Sequence, residues 1–99
     1  MGIGYHQVST VTSMPRTEVD HDDREPLYRQ LAEIIRAQIE SGEIPPRRAV
    51  PSKRMLRQRY EVSARTVDAA IAILRHEGLV EPERGKGVFV TEPASRRQA

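Results

Sequence analysis

The 99-residue chain contains no cysteine, which removes disulfide frameworks, thiolate zinc sites and cysteine nucleophiles together. Aromatic residues are scarce: Tyr5, Tyr28, Tyr60 and Phe89 are all there are. No uncharged apolar stretch approaches the ~20 residues that a membrane-spanning helix needs. The N-terminus has no basic stretch followed by an apolar run, so no signal peptide is expected. These absences make a soluble, cytoplasmic protein with no membrane partner the expectation. Length adds a further bound, because domains usually take roughly 100–200 residues and only one small unit fits. A unit of this size buries only about 60% of the surface its unfolded chain exposes, too little for a large enzyme core with a cavity.

Catalytic and metal signatures are equally thin. His6, His21 and His76 are scattered, with no metal-ligand spacing. Asp20, Asp22 and Asp23 match the opening of a calcium loop only loosely, without the glycine and closing glutamate in register. Arg84–Gly87 is glycine-rich but lacks the Gly-Lys-Ser/Thr ending of a phosphate loop. No enzyme activity, cofactor or metal is expected.

What the chain does have is charge, unevenly placed. The formal net charge is only +2. Residues 1–25 nevertheless hold two arginines against five acids, while residues 26–90 hold twelve Lys/Arg against eight Asp/Glu. Between Arg47 and Tyr60 six basic residues (Arg47, Arg48, Lys53, Arg54, Arg57 and Arg59) stand with no acid among them. A cationic stripe of this kind suits a polyanion, although a solvated helix face has the same composition.

Periodicity divides the chain in three. Residues 1–25 lack helical or strand periodicity and read as a flexible arm; residues 91–99 read as a disordered tail. The ordered unit is then 26–90. Its first helix opens at Pro26, taken as the first helical residue. Leu27, Leu31, Ile34, Ile35 and Ile39 face inward, and Arg29, Gln30, Glu33, Arg36 and Glu40 face outward. Gly42 closes this helix and Pro45-Pro46 prevents its resumption. Ser52 caps a short second helix, with Met55, Leu56 and Tyr60 turned inward. Ser63 caps a third, running from Ala64 to Glu77 with Val67, Ala70, Ile71 and Leu74 buried. Leu79–Glu81 and Val88–Val90 then read as two short strands around a glycine-rich turn.

Three helices, the second and third joined tightly, followed by a hairpin, give a mainly α fold of winged helix-turn-helix type. The residues also resemble a family. Pro26-Leu27-Tyr28-x-Gln30-Leu31-Ala32, Ser41-Gly42-Glu43-Ile44, Pro51-Ser52-x-Arg54-x-Leu56, Val62-Ser63-x-x-Thr66-Val67, Gly78-Leu79-Val80 and Gly85-x-Gly87-x-Phe89-Val90 resemble the N-terminal domain of GntR-family transcription regulators. The likeness spans residues 26–90 in order and spacing.

In a helix-turn-helix the second helix of the pair enters the major groove, its N-terminal residues facing the base edges. Here that helix, about 64–77, presents Ser63, Ala64, Arg65, Thr66 and Asp68. Arg65 can donate two hydrogen bonds to guanine. Thr66 suits a phosphate or a thymine methyl, and Ser63 either caps the helix or touches a phosphate. The resemblance implies that Arg54 contacts DNA and that the wing, 82–88, reaches the minor groove or its phosphates through Arg84, Gly85, Lys86 and Gly87. Lys53 and Arg57 add candidate phosphate contacts. The resemblance further implies a transcriptional regulator, a repressor by expectation, acting on a palindromic double-stranded operator through weak homodimerisation.

The sequence departs from the family pattern in several places. Ala64 and Asp68 stand where basic residues are usual, Lys53 where an acid is common, and Glu61 where a turn glycine is common. Asp68 is expected either to pair with Arg65, three residues earlier, or to accept from cytosine N4. Family members also carry a C-terminal effector-binding and dimerisation domain. This chain ends nine residues after Val90, so the expectation is a stand-alone or separated DNA-binding module without a small-molecule effector of its own. Two other readings stay open: a winged helix that docks on a protein, and a nucleic-acid binder without sequence preference.

Overall fold

The computed structural model describes residues 16–92. The first helix, α1 (Leu27–Ser41), begins one residue later than the sequence suggests. Pro26 is extended at the cap position (φ −56°, ψ 144°). Its carbonyl still starts the helical ladder, accepting from the amides of Arg29 and Gln30 at 3.0 and 3.2 Å. The helix stops where Gly42 turns left-handed at φ 88° and its amide bonds back to Ile39.

Gln30, expected on the outer face of α1, is fully buried. Its side chain accepts from the Asp20 amide at 2.7 Å and donates to the carbonyls of Asp20 and Glu25 at 3.0 and 2.7 Å. One buried amide group thereby fastens a largely exposed connecting segment to α1 through three hydrogen bonds. Residues 16–25, expected within a flexible arm, are consequently held against the helices. Val19 packs on the core and Arg16 reaches Glu25 at 2.9 Å. The rest of the expected arm, residues 1–15, and residues 93–99 of the expected tail lie outside the described residues.

Helix α2 (Lys53–Tyr60) and helix α3 (Ala64–His76) each start on a serine cap. The Ser52 hydroxyl accepts from the Met55 amide and the Ser63 hydroxyl from the Thr66 amide, both at 3.1 Å. Between them Glu61 adopts a left-handed conformation (φ 54°, ψ 53°) that glycine takes without penalty. Leu56 and Tyr60 are buried, but Met55 is 59% exposed. In a helix of only eight residues, one i, i+4 pair fills the inward stripe and its neighbour at 100° is left outside. On α3, Val67, Ala70 and Leu74 are buried and Ile71 only partly so. The helix ends at His76, with Glu77 as its cap rather than its last residue. Leu31, Ile34, Ile35 and Leu74 are at or below 1% exposure and form the centre of the core. Each such side chain contributes about 1.5–3 kcal/mol by leaving water.

The wing is an antiparallel pair, β1 (Val80–Glu83) and β2 (Gly87–Val90), in register Val80↔Val90 and Glu83↔Gly87. Leu79 lies just before the strand, and pairing runs on through Pro82, assigned by sequence to the turn. An edge strand tolerates proline because one of its amide rows needs no partner. The turn is therefore only Arg84–Lys86. Gly85 (φ 77°) and Gly87 (φ 120°) both use positive φ, with open space around each, so backbone conformation rather than crowding requires glycine there. On its other side β2 meets the segment leading into α2. Val50 donates to the Val88 carbonyl and Val90 to that of Arg48, both at 2.9 Å, with Ala49 bridged to Phe89. This extra pairing ties the hairpin to the helices, which a two-stranded hairpin needs for stability. Thr91, expected in the tail, bonds the carbonyls of Leu79 and Gly78. Among the described residues no helix is long and apolar enough to cross a membrane.

Candidate nucleic-acid interface

The six-residue cationic stripe separates into two groups once its partners are visible. Arg59 forms a forked pair with Glu18 (2.9 and 3.3 Å), Arg47 lies 3.8 Å from Glu92, and Lys53 lies 2.8 Å from Asp68. Mutual hydrogen bonding and charge hold the Glu18 carboxyl below its ordinary value and push the Arg59 guanidinium higher. Arg48, Arg54 and Arg57 form no ion pair among the described residues, and neither do Arg65, Arg84 and Lys86.

All of these cations but Arg48 sit on α2, α3 or the wing tip. Arg54 and Arg57 are exposed on α2 and line a shallow depression that Glu61 and Val62 of the turn complete. The first turn of α2 holds no acid of its own, so basic side chains of the helix add to its positive end. Arg65 is exposed on the first turn of α3. Arg84 and Lys86 flank Gly85 at the wing tip, where the Lys86 amide donates to Glu83 at 2.9 Å.

Ser63 is engaged locally. Its hydroxyl accepts from the Thr66 amide and donates to Thr66 Oγ1 at 3.0 Å, so capping uses its one proton and one of its two lone pairs. Thr66 is half-buried, and Ala64 beside it is half-buried with no polar side chain. The expected Asp68–Arg65 pair is absent. Asp68 reaches across to Lys53 at the start of α2, where an ammonium facing the positive helix end gains from a nearby carboxylate.

Lys53, Asp68, Lys86 and Gly87 share one cleft of about 570 Å³, between the N-terminus of α2, the outer side of α3 and β2. Met55, Ile71 and Val88 supply its apolar floor. Sequence reasoning missed this floor because it turned Met55 inward and Ile71 fully into the core. The usable signal was the Leu56/Tyr60 spacing, which leaves Met55 off the buried stripe.

A three-helix unit whose second and third helices form the turn, flanked by a wing, defines the winged helix-turn-helix class. Residues 27–90 match the model of bacterial regulatory proteins of the gntR family, and the chain belongs to that family. It is 37% identical over 68 residues to the HTH-type transcriptional repressor NagR of Bacillus subtilis, a match covering 69% of this chain and 28% of that protein. It is 40% identical over 67 residues to the mannosyl-D-glycerate transport/metabolism system repressor MngR of Escherichia coli, covering 68% and 28%. The chain thus matches little more than a quarter of each relative. Among solved structures, AraR(DBD) in complex with operator ORE1 is similar at TM-score 0.67 and 32% identity, covering 77% of this chain and 93% of that one. YtrA from Sulfolobus acidocaldarius, a GntR-family transcription factor, gives TM-score 0.72 and 28% identity, covering 83% and 86%.

Proposed function

We propose that this chain binds double-stranded operator DNA sequence-specifically, as the DNA-binding unit of a cytoplasmic transcriptional repressor. The observation that carries this reading is the grouping on α2, α3 and the wing tip of Arg54, Arg57, Arg65, Arg84 and Lys86, none of which forms an ion pair among the described residues. In this reading α3 enters the major groove, where Arg65 donates two hydrogen bonds to guanine O6 and N7. Thr66 lies beside it, against the backbone or a thymine methyl. Arg54 and Arg57 meet phosphates before the groove, and Arg84 and Lys86, on a backbone that Gly85 and Gly87 let approach closely, meet them beyond it. The free amides at the start of α2 add to the same anion-binding surface. AraR(DBD), solved with its operator, supports DNA as the partner.

One such unit covers few base pairs, so two are expected on a palindromic operator, with recognition helices about 10 base pairs apart. Pairing on the operator benefits from high effective concentration even when free association is weak. The reading involves no catalysis, cofactor or metal. The test compares Arg65→Ala with Arg54→Ala on selected and scrambled duplexes. Arg65→Ala is expected to relax preference at one base pair, costing about 1–3 kcal/mol of discrimination, whereas Arg54→Ala weakens all duplexes alike. Equal, sequence-independent losses would remove Arg65 from base reading, and a wild-type chain that binds no duplex would overturn the function.

A further inference from the structure

We propose that Lys53 and Asp68 act together as a composite base reader, with Asp68 accepting a hydrogen bond from the N4 amine of a cytosine in the major groove. This rests on the DNA-binding reading above and assigns a second specificity position beside Arg65.

Four observations carry it. Asp68 is on the exposed side of α3, one turn beyond Arg65, with 61% of its side chain accessible. An unaccompanied carboxylate there would be repelled by phosphates, but Lys53 Nζ lies 2.8 Å from Oδ1 and cancels its charge. Among the described residues no hydrogen bond reaches Oδ2, which leaves one acceptor oxygen open while the other is held. The pair also faces the cleft between α3 and the wing, the space a duplex contacting both elements would span. Arg65, which shares this face, stays free because Lys53 rather than Arg65 takes the carboxylate.

The chemistry selects the base. A carboxylate accepts and cannot donate, so it is repelled by the thymine O4 and guanine O6 and N7 acceptors. Adenine offers an N6 amine but sets the N7 acceptor beside it, whereas the cytosine N4 amine has no acceptor edge next to it in the major groove and fits best. Lys53 holds the carboxylate in place through its ion pair. Lys53 is therefore a positioning residue and Asp68 the base-contacting one.

The test selects binding sites from random duplexes with the full chain, then repeats the selection with Asp68→Ala, Lys53→Ala and Lys53→Arg. Thermal melting of each variant checks folding, which these exposed positions are expected to leave intact. Wild type is expected to require cytosine at one position, where a C·G to T·A change weakens binding about fivefold or more. Asp68→Ala loses that requirement alone and keeps the one set by Arg65. Lys53→Ala blunts it and weakens binding to every sequence, and Lys53→Arg restores it. A wild-type motif that Asp68→Ala reproduces unchanged overturns this proposal while leaving DNA recognition intact. A wild-type chain that selects no sequence overturns both.

Discussion

Two sides of this small unit handle arginine in opposite ways. On the side of α1 and residues 16–25, Arg16, Arg36 and Arg59 are locked, while Arg24 and Arg29 form no ion pair among the described residues. Arg36 forks onto Glu77 at 2.8 and 2.9 Å, joining α1 to the end of α3, and Glu77 keeps that guanidinium firmly charged. Arg16 meets Glu25 and Glu33, and Arg59 meets Glu18. On the side of α2, the start of α3 and the wing tip, Arg54, Arg57, Arg65, Arg84 and Lys86 have no such partner among the described residues. The same residue type therefore ties elements together on one side and is left for a polyanion on the other. Net charge averages over this distinction and hides it.

The comparison breaks hardest at Gln30, the buried amide that fastens the locked side. Gln30→Ala is expected to strand the Asp20 amide and two carbonyls, costing about 1–3 kcal/mol. For a domain this size that lowers Tm by roughly 4–24 °C. Where the variant remains folded, its DNA preference should not change. An unchanged melting curve would show that residues 16–25 add nothing to the fold.

Arg57→Ala makes the opposite cut. Stability should stay within about 0.5 kcal/mol, since the side chain is exposed and forms no ion pair among the described residues. Affinity for every duplex should fall, with a salt slope shallower by about 0.9 if one phosphate contact is lost. Loss of stability without loss of affinity would place Arg57 with the locked group.

The smallest effect belongs to Glu18. Its carboxyl is held below the ordinary value by the hydrogen bond and charge of Arg59, so the pair favours the folded state above the ordinary glutamate value of about 4.3. That contribution disappears as pH falls through the lowered value. Both groups are largely exposed, so Glu18→Gln should shift melting only slightly near neutrality and flatten its dependence below about pH 4. An unaltered acid limb would mean that the pair is not formed in solution.

Much of this fold was legible because its punctuation is local. Ser52 and Ser63 accept from amides three residues on, and Gly42, Gly85 and Gly87 take positive φ where turns require it. What escaped depends on partners distant in sequence. Gln30 reads as polar and outward until Asp20 and Glu25 are seen to need its amide. Pro82 reads as a turn until β2 is seen pairing on both sides. Asp68 has Arg65 as its nearest local choice, yet two helices crossing bring Lys53 closer. For the interface, charge density marked α2 and the wing, but only the pairings separate Arg59, engaged with Glu18, from Arg54 and Arg57.

The dependence of DNA affinity on salt tests the division between locked and free cations most directly. With Arg54, Arg57, Arg84 and Lys86 on phosphates and Arg65 on a base, log K against log salt concentration should slope at about −3 to −4 per unit bound. Removing the locked Arg59 should leave that slope unchanged. A slope near zero, or one that Arg59→Ala reduces as much as Arg57→Ala does, would contradict the account.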